Sequence, residues 1–345
     1  MAKDAGERTC MPSTDTKTQP VNLCEFEKIA AAQIEKCAYD YFASGANDQI
    51  TLRENRQAYE AIKIYPRMLR NVDERDMSVC LHTGQQISMP VLIAPMAFQR
   101  LAHSDGELAT IEAANSAETI MVLSTLSSYS IEEVAALANN NLWFQLYVYR
   151  DRAITKSLVE RAEAANYKAL VLTVDSPLLG RREQDVRNSF QLPPGVTASN
   201  LAGANLASLP CRSDDSGLAA YIHSLYDQSL TWKDVEWLRS ITSMPVLIKG
   251  VLRADDAELA IKHGASGIIV SNHGGRQLDT APATISVLKK IAAQVNGRAE
   301  IFIDGGIRRG TDVLKALALG AKAVLLGRPL LWGLAYNGSS GAELV

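Results

Sequence analysis

Cysteine is scarce and scattered in this 345-residue chain: Cys10, Cys24, Cys37, Cys80 and Cys211, an odd number with no C-x-x-C pair. That spacing excludes a disulfide framework and a zinc ribbon, and it favours a reducing compartment. With no such cysteine pair to hold zinc, no metal is expected. Long apolar runs are also missing: none approaches the roughly 18 residues that span a bilayer. Residues 1–20 lack the apolar stretch of a signal peptide and read as a loose polar tail. The expectation is a cytoplasmic protein with no membrane contact. Excess charge is absent too. A net charge of −3 gives no general attraction to nucleic acid. Finally, no G-x-G-x-x-G follows the first apolar run, which counts against an open dinucleotide-binding sheet.

What the chain does have is repetition. Short β-rich apolar runs occur at 89–97, 119–126, 142–149 and 169–175, then at 244–250, 267–271, 301–305 and 321–327. Amphipathic helical stretches such as 152–165 and 255–263 separate most of them. Alternating strands and helices imply parallel pairing with right-handed crossovers. Eight strands close into a barrel with a filled interior, so the expected fold is an α/β TIM (β/α)₈ barrel over residues 21–345. Ahead of it, Asn22 and Glu25 have capping-box spacing. Phe26, Ile29, Ala30, Ile34, Cys37 and Tyr41 recur at helical spacing up to Gly45, predicting one N-terminal helix. Residues 178–230, with Pro193-Pro194-Gly195 and Ser213–Gly217, are too long for an ordinary βα loop and predict a lid over the C-terminal face.

Residues at or just past each strand then converge on one site. They are Ala97, Ser124, Gln145 and Tyr147, Thr173 and Asp175, Lys249, Ser271 and His273, Asp304 to Gly310, and Gly327-Arg328. A single Lys or Asp inside an apolar strand is ordinarily one half of a local ion pair; polar groups at every later strand end point to a site. Glycines plus arginine after the last two strands suit a phosphate, held by backbone N–H groups and by Arg308 or Arg328. His273 can exchange a proton near neutrality, and Arg276 offers a fork for a carboxylate or phosphate.

Seven motifs in order resemble the FMN-dependent 2-hydroxy-acid oxidase/dehydrogenase family, from about residue 22 to the end. They are Tyr39–Ala46, Phe144–Tyr149, Thr173-Val174-Asp175, Gly180–Glu183, Ser271–Asp279, Asp304–Gly310 and Gly327-Arg328-Pro329. The resemblance implies FMN on Pro95, Met96, Ala97, Ser124, Gln145 and Thr173. Ser271, Asp304, Gly305, Gly306, Arg308, Gly327 and Arg328 would complete its ribityl-phosphate site. Lys249 would meet the N1/O2 edge of the flavin, where negative charge gathers on reduction. His273 would be the base and Asp175 would stabilise its imidazolium. Arg276 and Arg182 would clamp the substrate carboxylate, with Arg181 the alternative if the lid register slips. Tyr41 and Tyr147 would hydrogen-bond the carboxylate and hydroxyl oxygens. The implied reaction takes a small 2-hydroxy acid and O₂ to a 2-oxo acid and H₂O₂, in a homo-oligomer, a homotetramer by resemblance. A dehydrogenase delivering electrons to a quinone or cytochrome is the second reading.

The chain departs from the family pattern in two places. Leu126 stands where glycolate oxidases carry tryptophan, and Met96 where they carry threonine. Both changes make the wall beside the substrate's C2 substituent roomier and more apolar. Each added CH₂ then gains about 0.8 kcal/mol of burial, tilting the expectation to L-lactate or a longer acid over glycolate. The other departure is at the C-terminus, where Gly341–Val345 stands in place of a full eighth barrel helix. An apolar face beside the first and last strands is expected there.

Overall fold

The structure, a computed structural model, describes residues 19–201 and 224–345. The tail 1–18, and the middle of the lid with Ser213–Gly217, lie outside the described residues.

A short antiparallel hairpin, β1 (Val79–Cys80) and β2 (Gln86–Ile87), precedes the barrel. The barrel strands are β3 (Val91–Ile93), β4 (Met121–Leu123), β5 (Leu142–Leu146), β6 (Leu170–Thr173), β7 (Val246–Val251), β8 (Gly267–Val270), β9 (Glu300–Ile303) and β10 (Ala323–Leu326). They close in chain order, with β10 pairing β3 and every neighbour parallel. Each of the eight expected runs therefore holds one barrel strand to within a residue, β7 running one past its run and β9 starting one before.

Side chains alternate along a strand, so every second residue enters the barrel. Leu92, Val122, Trp143, Val171, Leu247, Ile269, Phe302 and Leu325 fill the interior as one apolar cluster. Trp143 and Phe302 meet edge to face, with centroids 5.4 Å apart. Leu81 and Ile87, at the hairpin, join this cluster and plug the N-terminal end. The opposite strand faces, Phe144, Leu146, Leu170 and Ile268 among them, pack on the helix ring. The hairpin had no signal in the sequence, because two-residue strands carry no readable period.

The N-terminal helix is divided, which corrects the single helix expected. Helix α1 (Leu23–Gln33) ends at Ile34, which is extended, and α2 (Lys36–Ala43) restarts with Glu35 accepting from the Cys37 and Ala38 N–H groups. Asn22 caps α1 as its spacing suggested, accepting from the N–H groups of Cys24 and Glu25. Helix α3 (Ile50–Ala61) and α4 (Gly106–Ser116) follow. After β10 a helix runs over Arg328–Glu343, bent at Asn337 and Gly338, and packs on α1 and α4. Outside β3 and β10 it leaves a partly apolar cavity of 430 Å³, with Val91, Ala113, Val313, Leu326 and Val345 in its wall. No helix among the described residues is long and apolar enough to cross a membrane.

Candidate active site

The interior position two residues beyond each apolar plug residue is polar on six strands. Ser124 follows Val122, Gln145 follows Trp143, Thr173 follows Val171, Lys249 follows Leu247, Ser271 follows Ile269, and Asp304 follows Phe302. One period-two step thus turns a dry floor into a polar layer. The layer is wired together. Ser124 Oγ lies 3.4 Å from Gln145 Oε1, and Gln145 Nε2 donates to Thr173 Oγ1 at 3.1 Å. Lys249 Nζ donates to Ser271 Oγ at 2.9 Å and pairs with Asp304 at 3.1 Å. Burial opposes charge on Lys249, but Asp304 and Asp175 outweigh it and hold the ammonium pKa above its ordinary value.

A β-bulge in β7 directly follows that lysine. The register with β8 shifts between Lys249 and Val251, and Gly250 takes φ +113°. A Cβ at Gly250 would stand 2.6 Å from the Asp175 Cβ, so only glycine passes there.

One step further out, His273 Nδ1 meets Asp175 Oδ1 at 2.7 Å, leaving Nε2 as the free ring nitrogen. His273 itself is left-handed, φ +59°, a strained backbone for a non-glycine residue. The expected turn glycines Gly274 and Gly275 have φ +63° and +73°. Burial pushes the imidazole pKa down, and Lys249 and Arg182 push the same way against the pull of Asp175. Burial alone would raise the Asp175 pKa; His273 and Lys249 bring it below its ordinary value. The resting pair is therefore neutral imidazole on ionised carboxylate, ready to accept a proton.

Above them, Arg276 Nη1 donates to the carbonyls of Tyr41, Phe42 and Ser44, and its guanidinium lies over the Tyr41 ring. Burial first, and the charge of Arg182 second, lower the Arg276 pKa to about 10. Arg182 is buried in the cavity wall while Arg181 is exposed, so the lid register presents Arg182. Gln277 fixes that register: its amide donates to the carbonyls of Asp175 and Leu178 and accepts from the Gly180 N–H.

A single cavity runs from this histidine to the rim after β9 and β10. Its wall includes Tyr41, Pro95, Met96, Ala97, Leu126 and Tyr147, together with Gln145, Thr173, Lys249 and Asp304. Gly305, Gly306, Arg308, Gly327 and Arg328 form the rim. Asp175 and Ser271 stand behind His273 and Lys249 rather than on the surface of the cavity. Gly305 and Gly306 take φ +94° and +85°. Arg328 donates to the carbonyls of Phe42, Ser44 and Gly274. Burial, then Arg276 and Arg308, drive the Arg328 pKa well down. The Nε of Arg308 is buried with no hydrogen-bond partner. Two desolvated guanidiniums that repel each other make a rim short of an anion.

Four contributors were missed. Asn55 of α3 exchanges amide hydrogen bonds with Asn272, both 2.8 Å, and anchors the histidine loop. Phe190 and Tyr226 come from the lid, stacking on Tyr41 at 4.6 Å and on Tyr147 at 4.5 Å. Asp185, also on the lid, faces Arg182 with 4.0 Å between Nη1 and Oδ2. None sits at a strand end, and only the Gly180–Glu183 motif beside Asp185 hinted at them.

A parallel barrel with a histidine–aspartate pair, inward lysine and anion-hungry rim on one cavity is the site of a barrel enzyme that carries a phosphorylated cofactor. Comparison with known proteins identifies the group: residues 30–345 match the FMN-dependent dehydrogenase family, and the chain belongs to it. It is 53% identical over 332 residues to an L-lactate oxidase of Nostoc sp., covering 95% of this chain and 91% of that one. It is 52% identical to human 2-hydroxyacid oxidase 1 over 322 residues, covering 92% and 87%. A crystal structure of mandelate oxidase with (S)-4-hydroxymandelic acid superposes with TM-score 0.90 at 43% identity, covering 94% and 90%. The chain is thus an FMN-dependent enzyme of the 2-hydroxy-acid oxidase family. The rim fits the cofactor on its own terms: the unpartnered Arg308 Nε and the charge-starved Arg328 suit a phosphate, and a Cβ at Gly327 would reach into cavity space 3.8 Å from Ala94.

Proposed function

We propose that this chain oxidises an L-2-hydroxy acid to the 2-oxo acid, with O₂ reduced to H₂O₂, and prefers L-lactate or a longer acid to glycolate. The observation that carries the reading is the hydrogen bond from His273 Nδ1 to Asp175, which leaves Nε2 as a base in the cavity shared with Arg182 and Arg276. FMN, when bound, supplies the two-electron acceptor. Arg182 and Arg276 hold the substrate carboxylate, and Tyr41 and Tyr147 hydrogen-bond its carboxylate and hydroxyl oxygens. His273 takes a proton from the substrate, and the ionised Asp175 stabilises the imidazolium that results. Lys249, kept cationic by Asp304, stabilises negative charge that builds over the polar layer. FMN itself would be held by Pro95, Met96, Ala97, Ser124, Gln145 and Thr173, with its phosphate between Gly305, Gly306, Arg308, Gly327 and Arg328, beside Ser271 and Asp304.

The substrate preference rests on Met96 and Leu126, both in the cavity wall where a methyl or longer chain gains apolar burial. Anaerobic addition of L-lactate tests the activity: the flavin bleaches and recolours on admitting air. A flavin that stays oxidised would refute it. Comparing kcat/KM for glycolate, L-lactate and 2-hydroxyoctanoate tests the preference, and glycolate as the best substrate would refute that part.

A homo-oligomer belongs to the same reading. Tyr65, Met68, Leu69, Val72 and Met77 are exposed on one irregular segment, with Leu69 fully so and left-handed at φ +55°. Arg67 and Arg70 lie before its centre, and Asp73, Glu74 and Asp76 with one arginine, Arg75, lie after it, so an antiparallel two-fold pairing of two copies sets a basic half against a net acidic one. Leu69→Asp should lower the mass measured by sedimentation; an unchanged mass would count against this interface.

A further inference from the structure

The lid carboxylate Asp185 has no part in the chemistry above, yet it is nearly fully buried, 5% exposed, in the wall of the substrate cavity. It faces two cations. Arg182 is 4.0 Å away, a long pairing that leaves the guanidinium open to a ligand. Burial pushes the Asp185 pKa above its ordinary value, against the opposing pull of Arg276 first and Arg182 second. One Asp185 oxygen, Oδ1, is buried with no hydrogen-bond partner, and Arg182 Nε is in the same condition. The other acid nearby, Asp40, is engaged elsewhere, with Lys36 at 2.6 Å and Asn188 at 2.8 Å.

Apart from Arg328, which belongs to the phosphate rim, the charges at this end of the cavity are Arg182 and Arg276 against Asp185, a surplus of one positive charge. We propose that Asp185 is a specificity residue: it sets that surplus to one, so the subsite takes a monocarboxylate and rejects a ligand with a second carboxylate. The proposal rests on the reading of Arg182 and Arg276 as the carboxylate clamp. Without Asp185 the surplus is two, and a dianion matches it. A buried, weakly screened charge acts on every ligand in the cavity, so its removal discriminates by ligand charge rather than by shape.

The test titrates FMN-loaded protein with propionate and malonate, a monoanion and a dianion of similar size, following the flavin spectrum. The titration runs at about pH 8, far above the ordinary carboxylate range, so that Asp185 is ionised despite the upward push of burial on its pKa. Wild type should bind propionate at least as tightly as malonate. In Asp185→Asn the malonate-to-propionate affinity ratio should rise about tenfold or more. Asp185→Glu, which keeps the charge, should hold the wild-type ratio. Asp185→Ser is a second neutral variant if the asparagine form fails to hold FMN. A ratio unchanged in a neutral variant, with both ligands weakened alike, would make Asp185 only a lid strut and overturn the proposal. So would a wild-type preference for malonate. Binding needs no turnover, so this outcome separates from the oxidase assignment: bleaching by L-lactate with an unchanged ratio sinks only the charge argument.

Discussion

Replacing Asp175 by Asn tests the heart of the site at almost no steric cost. The carboxylate oxygen sits 2.7 Å from His273 Nδ1 in a nearly buried setting. When His273 takes the substrate proton, an imidazolium forms with its charge about 4 Å from the carboxylate charge. At an effective dielectric near 20, that attraction is about 4 kcal/mol. An amide cannot supply it, so proton abstraction should slow by about 10³-fold. The amide would also offer an N–H where the ring needs an acceptor, which risks the wrong tautomer. Stopped-flow bleaching of the bound flavin under anaerobic L-lactate measures this step alone. The variant should retain its flavin absorbance, because Asp175 stands behind the histidine rather than on the cavity. The pH profile should move as well. His273 works as the neutral base, so the rate is lost as pH falls through its pKa and is level above it. Asp175 raises that pKa against the larger effect of burial. Removing it should shift the acid limb to lower pH. A bleaching rate within tenfold of wild type, or an acid limb displaced upward, would refute the pairing as the source of the base.

Two further substitutions probe the cavity wall and the rim. Leu126→Trp restores bulk beside the substrate's C2 group and should lower the ratio of kcat/KM for L-lactate over glycolate by about tenfold, within what one methylene discriminates; an unchanged ratio would mean that Leu126 is only barrel packing. Gly306→Ala places a Cβ 1.9 Å from the Asn55 carbonyl oxygen at a residue with φ +85°. It should cost about 1–3 kcal/mol, lowering Tm by several degrees and weakening FMN retention. Wild-type melting with full flavin content would show that the rim adapts.

Much of this was legible because barrel strands obey a period of two. Gln145, Tyr147 and Lys249 are legible as polar strand-end residues, and the interior places of Trp143 and Leu247 two residues earlier follow from the strands themselves. What escaped has no such address. The split between α1 and α2 depends on Glu35 starting a new helix with its own side chain, a local competition invisible to hydrophobic spacing. Arg181 and Arg182 are neighbours of the same type, and only the Gln277 contacts decide which one enters the cavity. Asp185, Phe190 and Tyr226 arrive from a lid whose path is set by tertiary packing rather than by periodicity.

The bulge at Gly250 carries a consequence for how such an enzyme can change. The missing Cβ beside Lys249 is what leaves room for Asp175. The pair that handles the proton and the pair that fixes the lysine therefore share one backbone joint. A mutation that shifts the backbone at this joint displaces both pairs together.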